Sequence, residues 1–350
     1  MYTPFLSVCI PVYNTEQYLA ECLKSVIDQD FADYEILVLS DSSCGHDQNG
    51  RDCKAIVKSF KKPFSKPSIR YLEHSSNKGL VEARRTLVYE ARGEYICMID
   101  SDDLLAPGAL ALLANTAKKN NYDIVQGKAR TFWGDYCRED SRVKPENDSE
   151  QTENDNKQPQ NNSEQTENDN AGNVFLGELC GKEIFHSFFV EHKISSFLWG
   201  KLIRREVYLQ ALNEIPSTYC NTAEDLLQFF FITREAKSYL GIEKLVYNYR
   251  KTSGMTSAKK IDNLRSWEMV CSTASVFTIL FDWNKIDEIT FRLTPEEHAT
   301  LQQFSQYYIK NNYKQYTEAV IPELKAQAYE LLCEYWGENF VKRISEEASI

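Results

Sequence analysis

Residues 95–103 read Tyr95-Ile96-Cys97-Met98-Ile99-Asp100-Ser101-Asp102-Asp103, a short apolar run that passes directly into three carboxylates, with Pro107 placed to open a helix beyond them. An unbroken apolar run of this length suits a strand buried on both faces of a parallel sheet. Carboxylates packed this closely repel one another and call for a cation, and their hard oxygens suit Mg²⁺ or Mn²⁺. Such an ion would bridge phosphate oxygens and offset charge developing on a diphosphate leaving group. The same acids would also serve as an N-cap cluster that satisfies free amides of the next helix.

Working outward, the pattern around this stretch is βαβ. Residues 5–13, with Leu6, Val8, Ile10 and Val12, form a second apolar run, and residues 34–39 and 69–72 read as further strands. After the first strand, Asn14 and Gln17 suit a helix start, and Tyr18, Leu19, Cys22, Leu23, Val26 and Ile27 repeat at helical spacing. Another helix is expected over residues 80–91. Strands alternating with helices imply a mostly parallel sheet flanked by helices, which binds ligands beyond the carboxyl ends of its strands.

Three features are expected at that edge. Asp41 closes the second strand, where a carboxylate can accept the N3–H of a uracil ring, and Pro11, Val12 and Tyr13 end the first strand beside it. Asn77-Lys78-Gly79 places a turn before the 80–91 helix, and Arg84 on that helix offers a cation to a base or phosphate. An ordinary turn residue at Asp41 and a solvated arginine at position 84 are the plain alternatives.

Residues 141–173 turn to Glu, Asn, Asp, Gln, Ser and Thr, and the octad Ser-Glu-Gln-Thr-Glu-Asn-Asp-Asn at 149–156 recurs at 163–170. This insert lacks the apolar surface to offset ordering its backbone, about 1 to 2 kcal/mol per residue, and a mobile loop is expected. Beyond it, residues 182–191, 197–212 and 223–236 read as helices, the last with Glu224 and Asp225 in its first turn, and 240–249 as a strand. The remainder is helical in pattern, with Thr294, Pro295 and Glu297 forming a capping-box start, and the tail carries no evident chemistry.

The 350 residues carry a net charge of −11, which argues against a nucleic-acid partner because phosphate neutralisation needs a basic face, although a local basic patch is compatible with it. About half of that charge belongs to the insert. Ten cysteines never form a Cys-x-x-Cys pair, and neither a signal peptide nor a membrane-spanning apolar run is evident, so a reduced, cytoplasmic protein is expected.

Five motifs in order, Pro11-Val12-Tyr13-Asn14, Glu35-Ile36-Leu37-Val38 ending at Asp41, Asn77-Lys78-Gly79 with Ala83-Arg84, Gly93-Glu94-Tyr95-Ile96, and Asp100-Ser101-Asp102-Asp103, resemble family 2 of the inverting glycosyltransferases. Leu198-Trp199 with Lys201-Leu202, Glu224-Asp225-Leu226-Leu227 and Tyr247-Asn248-Tyr249-Arg250 look like the acceptor half of bacterial members. The resemblance implies an α/β fold of GT-A type, divided as a nucleotide-sugar-binding half (1–140), the low-complexity insert (141–173), an acceptor-binding half (174–257) and a helical C-terminal extension (258–350).

It also implies roles. Asp41 would bind the base, with Pro11, Val12, Tyr13, Asn77 and Ser101 beside the nucleotide sugar. Arg84 would contact the nucleotide, Asp100 would face the ribose or the metal, and Asp102 would ligate Mn²⁺ or Mg²⁺. Asp225 would be the general base and Glu224 would hold the acceptor or tune it. The partners implied are a nucleotide-sugar donor and a glycan or lipid-linked glycan acceptor, the latter with peripheral contact at the inner face of the cytoplasmic membrane. Where the family usually has Asp-Asp-Gly-Ser, Ser40-Asp41-Ser42-Ser43 stands here, so the turn lacks its glycine. A nucleotidyltransferase would open with a Gly-rich phosphate loop and a dehydrogenase with Gly-x-Gly-x-x-Gly, and neither follows the first strand. A non-catalytic carbohydrate-binding relic of the fold would tolerate loss of Asp225.

Overall fold

The computed structural model describes residues 3–61, 67–133, 171–251, 260–287 and 292–347. The chain begins with Leu6–Val12 (β1), Glu16–Ile27 (α1), Tyr34–Ser40 (β2), Cys53–Phe60 (α2), Ser68–Glu73 (β3), Leu80–Glu90 (α3) and Tyr95–Met98 (β4). Leu104–Leu105 (β5), Ala109–Asn120 (α4) and Ile124–Phe132 (β6) follow. After the insert come Gly177–Cys180 (β7), Lys182–Phe189 (α5), Lys201–Arg204 (β8), Arg205–Asn213 (α6), Glu224–Glu235 (α7) and Ser238–Arg250 (β9). The tail is Leu264–Cys271 (α8), Thr273–Asn284 (α9), Pro295–Glu318 (α10), Lys325–Trp336 (α11) and Glu338–Glu347 (α12). Residues 141–170 of the expected mobile insert lie outside the described residues.

The strands form one sheet in the order β3-β2-β1-β4-β8-β6-β9-β5, with β7 also on β9. β3, β2, β1 and β4 pair in parallel, antiparallel pairing enters where β8 joins β4, and β6 and β9 pair in parallel beyond it. Every residue of β1 and β2 is buried, as an apolar strand in a sheet covered on both faces requires. Leu6, Val8 and Ile10 pack in one core with Leu19 and Leu23 of α1 and Leu110 of α4, while Cys9 and Leu37 join Leu87 and Val88 of α3 and the phenylalanines of α5 and α7 in the other.

The amino ends of these strands are fastened separately. Ser7 Oγ donates to Glu35 Oε1 (2.8 Å) and accepts from Gly93 N (2.9 Å), and Arg92 N also donates to Glu35 Oε1 (2.7 Å). A Cβ on Gly93 would lie 2.5 Å from Leu6 C and Ser7 N, so only glycine lets the turn before β4 approach β1 this closely.

Two local expectations are corrected. Asn14 does not cap α1; its φ is +56°, its side chain accepts from Cys44 N (3.3 Å), and Thr15 is the cap residue. Residues 197–204 do not continue a helix from 197 to 212, because 201–204 pair antiparallel with both β4 and β6 and the helix starts only at Arg205. The capping box at α10 is present, with Thr294 N donating to Glu297 Oε2 (2.8 Å) and Glu297 N to Thr294 Oγ1 (3.3 Å). The tail packs partly on a core of Trp267, Ile309, Leu332 and Val341 and partly, through Phe277, Leu280 and Leu301, on the core shared with α5 and α7. Among the described residues no helix is long and apolar enough to cross a membrane.

Candidate active site

Parallel strands bring β1, β2 and β4 to the same edge with their carboxyl ends together, and a cleft of about 370 Å³ opens there. Pro11, Val12, Tyr13, Asp41, Asp100, Ser101 and Asp102 line it together with Glu224 and Asp225. The elements expected to meet therefore do meet, across more than a hundred residues of sequence. Of the five non-glycine residues with positive φ among those described, Asn14, Ser42 and Ala223 sit around this cleft. Ser42 takes at φ +56° the conformation for which the family pattern supplies a glycine.

Asp41 is 3% exposed and faces the turn rather than open solvent. Its carboxylate accepts from Lys78 N (2.9 Å), Gly79 N (2.9 Å) and Asn77 Nδ2 (3.1 Å), and Nδ1 of His74 lies 2.6 Å from Oδ1. His74 is held in turn by Thr86 Oγ1 at 2.9 Å. Asn77 works through Asp41 here and lies beside the cleft rather than lining it.

The three acids after β4 have separate surroundings. Asp103 is buried, with Tyr247 Oη donating to Oδ2 (2.8 Å) and Arg250 N to Oδ1 (2.7 Å), so it fastens the loop to β9. Arg250 Nε donates to the Asp102 carbonyl (2.7 Å) and its Nη2 to Glu21 (2.5 Å). Asp100 turns Oδ1 toward Arg84 (3.2 Å). Burial, and after it the charge of Asp100, raises the Asp102 carboxyl to about 6, with its own backbone N–H and Arg250 working the other way. Thr15 Oγ1, which the sequence reading missed, meets Ser101 Oγ at 2.5 Å.

Among the described residues no three His, Cys, Asp or Glu side chains are grouped to hold a metal ion by themselves. Mg²⁺-type ions, however, are commonly held by one or two carboxylates with phosphates and water completing the shell. Asp102, desolvated beside a second acid, and Asp100 are a donor set of that kind, so the residues fit such an ion.

Arg84, expected at the nucleotide, lies beneath the cleft with its side chain 1% exposed. Its Nη1 donates to Asp225 Oδ1 (2.5 Å) and Glu224 Oε1 (3.3 Å), and its Nη2 to Asp100 Oδ1. One guanidinium thus ties the loop after β4 to the first turn of α7, a geometry that needs the planar fork of arginine. Leu80 N donates to Asn221 Oδ1 (3.1 Å), which sets the starts of α3 and α7 side by side. Burial raises the Asp225 carboxyl to about 7 against the pull of Arg84, with Glu224 and Asp100 adding to the rise. Glu224 is likewise raised, first by burial.

Aromatic rings also line the cleft. Phe197 stacks on Trp199 (centroids 4.5 Å, 11°), and Trp199 on Tyr247 (4.8 Å, 6°) and Tyr249 (5.6 Å, 21°). Lys201 is 0% exposed, donates from Nζ to the carbonyls of Ser195 (3.0 Å) and Phe197, and is drawn down to about 7 by burial, with Asp225 opposing. Tyr308 of α10 also lines the cleft, which corrects the expectation of a tail without a part in the site. Phe197 and Tyr308 fall outside every motif in the sequence, so no signal there pointed to them.

The model of the family described as "Glycosyl transferase family 2" matches residues 7–172. Glycosyltransferase GlyG of Streptococcus pneumoniae serotype 4 is 30% identical over 122 residues, 35% of this chain and 38% of that protein. The poly(ribitol-phosphate) beta-glucosyltransferase of Bacillus spizizenii is 34% identical over 132 residues (37% and 20%), and the putative glycosyltransferase EpsH of Bacillus subtilis 28% over 208 (59% and 49%). The chain thus spans less than half the length of these curated relatives. In fold it is similar to S. aureus TarS 1–349, solved with UDP-GlcNAc (TM-score 0.52, 18% identity, 98% of this chain and 91% of that one). It is similar also to the mannosyltransferase PcManGT of Pyrobaculum calidifontis, solved with GDP-Man and Mn²⁺ (TM-score 0.50, 14% identity, 100% and 81%).

Proposed function

Since residues 7–172 belong to glycosyl transferase family 2, we propose that this protein moves a hexose or N-acetylhexosamine from a UDP-sugar to a hydroxyl of a surface-glycan acceptor, inverting the anomeric carbon. The observation that carries the reading is the gathering of Asp100, Glu224 and Asp225 on one buried arginine at the rim of a cleft that also holds Asp41 and Asp102. UDP-GlcNAc in TarS and GDP-Man with Mn²⁺ in PcManGT support a nucleotide sugar as the donor.

In this reading the base of the donor rests between the end of β1 and Asp41, whose carboxylate is oriented by His74 and by the amides of Lys78 and Gly79. Asp102 and Asp100 would hold Mn²⁺ or Mg²⁺, and such an ion would supply positive charge to offset that of a diphosphate leaving group. Asp225 takes the proton of the acceptor hydroxyl as the new bond forms. A carboxyl near 7 is well matched to that task, because near neutral pH a substantial fraction is ionised and that fraction is basic enough to accept a proton. Arg84 favours the ionised form of Asp225 against burial and aims it, and Glu224 shares that guanidinium while facing the cleft. The acceptor and its location at a membrane face belong to the same proposal.

The test is release of nucleoside diphosphate from a panel of UDP- and GDP-sugars with Mn²⁺, in the wild type and in Asp225→Asn. Turnover of at least one donor, lost in the variant once an acceptor is present, is the expected result. A protein that binds sugars but turns over no donor, or one indifferent to Asp225→Asn, would be a relic of the fold.

A further inference from the structure

Arg84, Arg250 and Lys201 are the three cations among the largest fully buried side chains. Arg84 holds three carboxylates and Arg250 pairs with Glu21, so each of these charges is answered by contact. Lys201 differs. Its Nζ donates to the carbonyls of Ser195 (3.0 Å) and Phe197 and lies 4.7 Å from the centre of the Phe229 ring, and among the described residues no carboxylate is in ion-pair contact with it. Two carbonyls need donors, not a full charge, and burying an ammonium for that purpose alone is costly.

The place of Lys201 in the fold gives its charge a use. It opens β8 and pairs with Gln126 of β6, while the residue after it pairs with Cys97 of β4, so its backbone is fixed inside the sheet. Phe229 stands four residues after Asp225 in α7, a spacing that puts both side chains on one face of the helix. The ammonium over the Phe229 ring is therefore lodged against the face of α7 that carries Asp225, one turn along. Arg84 reaches the same carboxylate from α3.

The charges around Asp225 agree with this placement. Burial raises its carboxyl, Arg84 opposes the rise, Glu224 and Asp100 add to it, and Lys201 opposes it from β8. In return Asp225 opposes the fall that burial imposes on Lys201, so each charge favours the other. The phenols of Tyr208 on α6, Tyr249 on β9 and Tyr308 on α10 also feel Asp225, but burial first of all raises each of them, and they stay neutral. One guanidinium shared by Asp100, Glu224 and Asp225 leaves negative charge in excess, and Lys201 is the second cation that acts on Asp225.

We propose that Lys201 is a positioning residue for the transfer reaction, a buried counter-charge that acts through Asp225 and, together with Arg84, favours the ionised form of that carboxyl. Its part in turnover rests on the transferase reading above, whereas its effect on the Asp225 carboxyl does not.

The experiment therefore reads the carboxyl directly. In the full chain with its aspartates ¹³C-labelled at the side-chain carboxyl, the resonance missing from Asp225→Asn identifies Asp225, and its titration is followed by NMR without donor or metal. The wild-type midpoint is expected near 7. Lys201→Met, which keeps the length and removes the charge, should raise that midpoint by about one pH unit, and Lys201→Arg should leave it near the wild-type value. Lys201→Gln, which still donates to a carbonyl, replaces Lys201→Met should the latter fail to fold. In donor turnover the pH limb of kcat/KM should move by the same amount, with the KM for donor within twofold of wild type. An Asp225 midpoint unmoved by loss of the charge, or moved as far by Lys201→Arg, would reduce Lys201 to a brace for the 195–197 loop and overturn the proposal. A shifted midpoint in a protein that turns over no donor would instead remove the transferase reading and leave the counter-charge standing.

Discussion

Nη1 of Arg84 lies 2.5 Å from Oδ1 of Asp225, a charged contact between residues 141 positions apart that joins α3 to the first turn of α7. Arg84→Met keeps the volume and removes the cation, leaving three carboxylates facing one another. The expected cost is roughly 3 to 5 kcal/mol of stability, because breaking a buried pair leaves uncompensated charge. Arg84→Lys retains the charge without the fork and should lose most turnover while unfolding at an intermediate temperature. Denaturant melts and donor turnover on the two variants check both statements.

Asp225 must be ionised to accept a proton, so kcat/KM should rise with pH along a limb centred near 7 and level off above it. The stability effect runs in the opposite direction. A carboxyl whose pKa is raised on folding from 3.8 to about 7 contributes stability that is complete below about 4 and is lost as pH rises through about 7. Asp225→Asn removes that dependence. Its unfolding temperature relative to wild type should therefore be more favourable at pH 8 than at pH 4.5, while its turnover is expected to be lost.

Asp102→Asn should abolish turnover and remove most of the Mn²⁺-dependent gain in UDP affinity, while binding measured without metal changes little. Calorimetric titration of UDP with and without Mn²⁺ separates the two. Asp103→Asn should behave differently, because Asp103 accepts from Tyr247 Oη and Arg250 N. Its main effect should be a loss of stability of about 1 to 3 kcal/mol.

Gly93→Ala places a methyl group 2.5 Å from the backbone of Leu6 and Ser7. Backbone on both sides cannot yield cheaply, so a loss of roughly 2 to 4 kcal/mol is expected, with no change in KM for whatever fraction remains folded. Thermal melts and donor kinetics on the same preparation measure this.

How much of this was legible varied with where the deciding interactions lie. β1, β2 and β4 could be read because their residues are apolar apart from Ser7, Glu35 and Ser40, and the acids that follow β2 and β4 then had to share an edge. Residues 197–204 could not. Leu198, Trp199, Leu202 and Ile203 have spacings that suit a helix face as well as a strand, and pairing with β4 and β6 decides between them. The acidic run announced a charged site, and only the family resemblance set Asp102 apart from Asp103, since the partners that occupy Asp103 arrive from β9. Arg84 was singled out by its motif, yet its three carboxylate partners came from two distant segments, and burial rather than sequence made it a tie between them.

Tyr308 reaches the cleft from a 24-residue helix whose far end is anchored in the separate core around Trp267 and Leu332. Under the proposed transfer reaction, substitutions at the α10 positions that face the cleft would reshape its entrance while the acids tied to Arg84 stay as they are, so that the recipient could change without the displacement step.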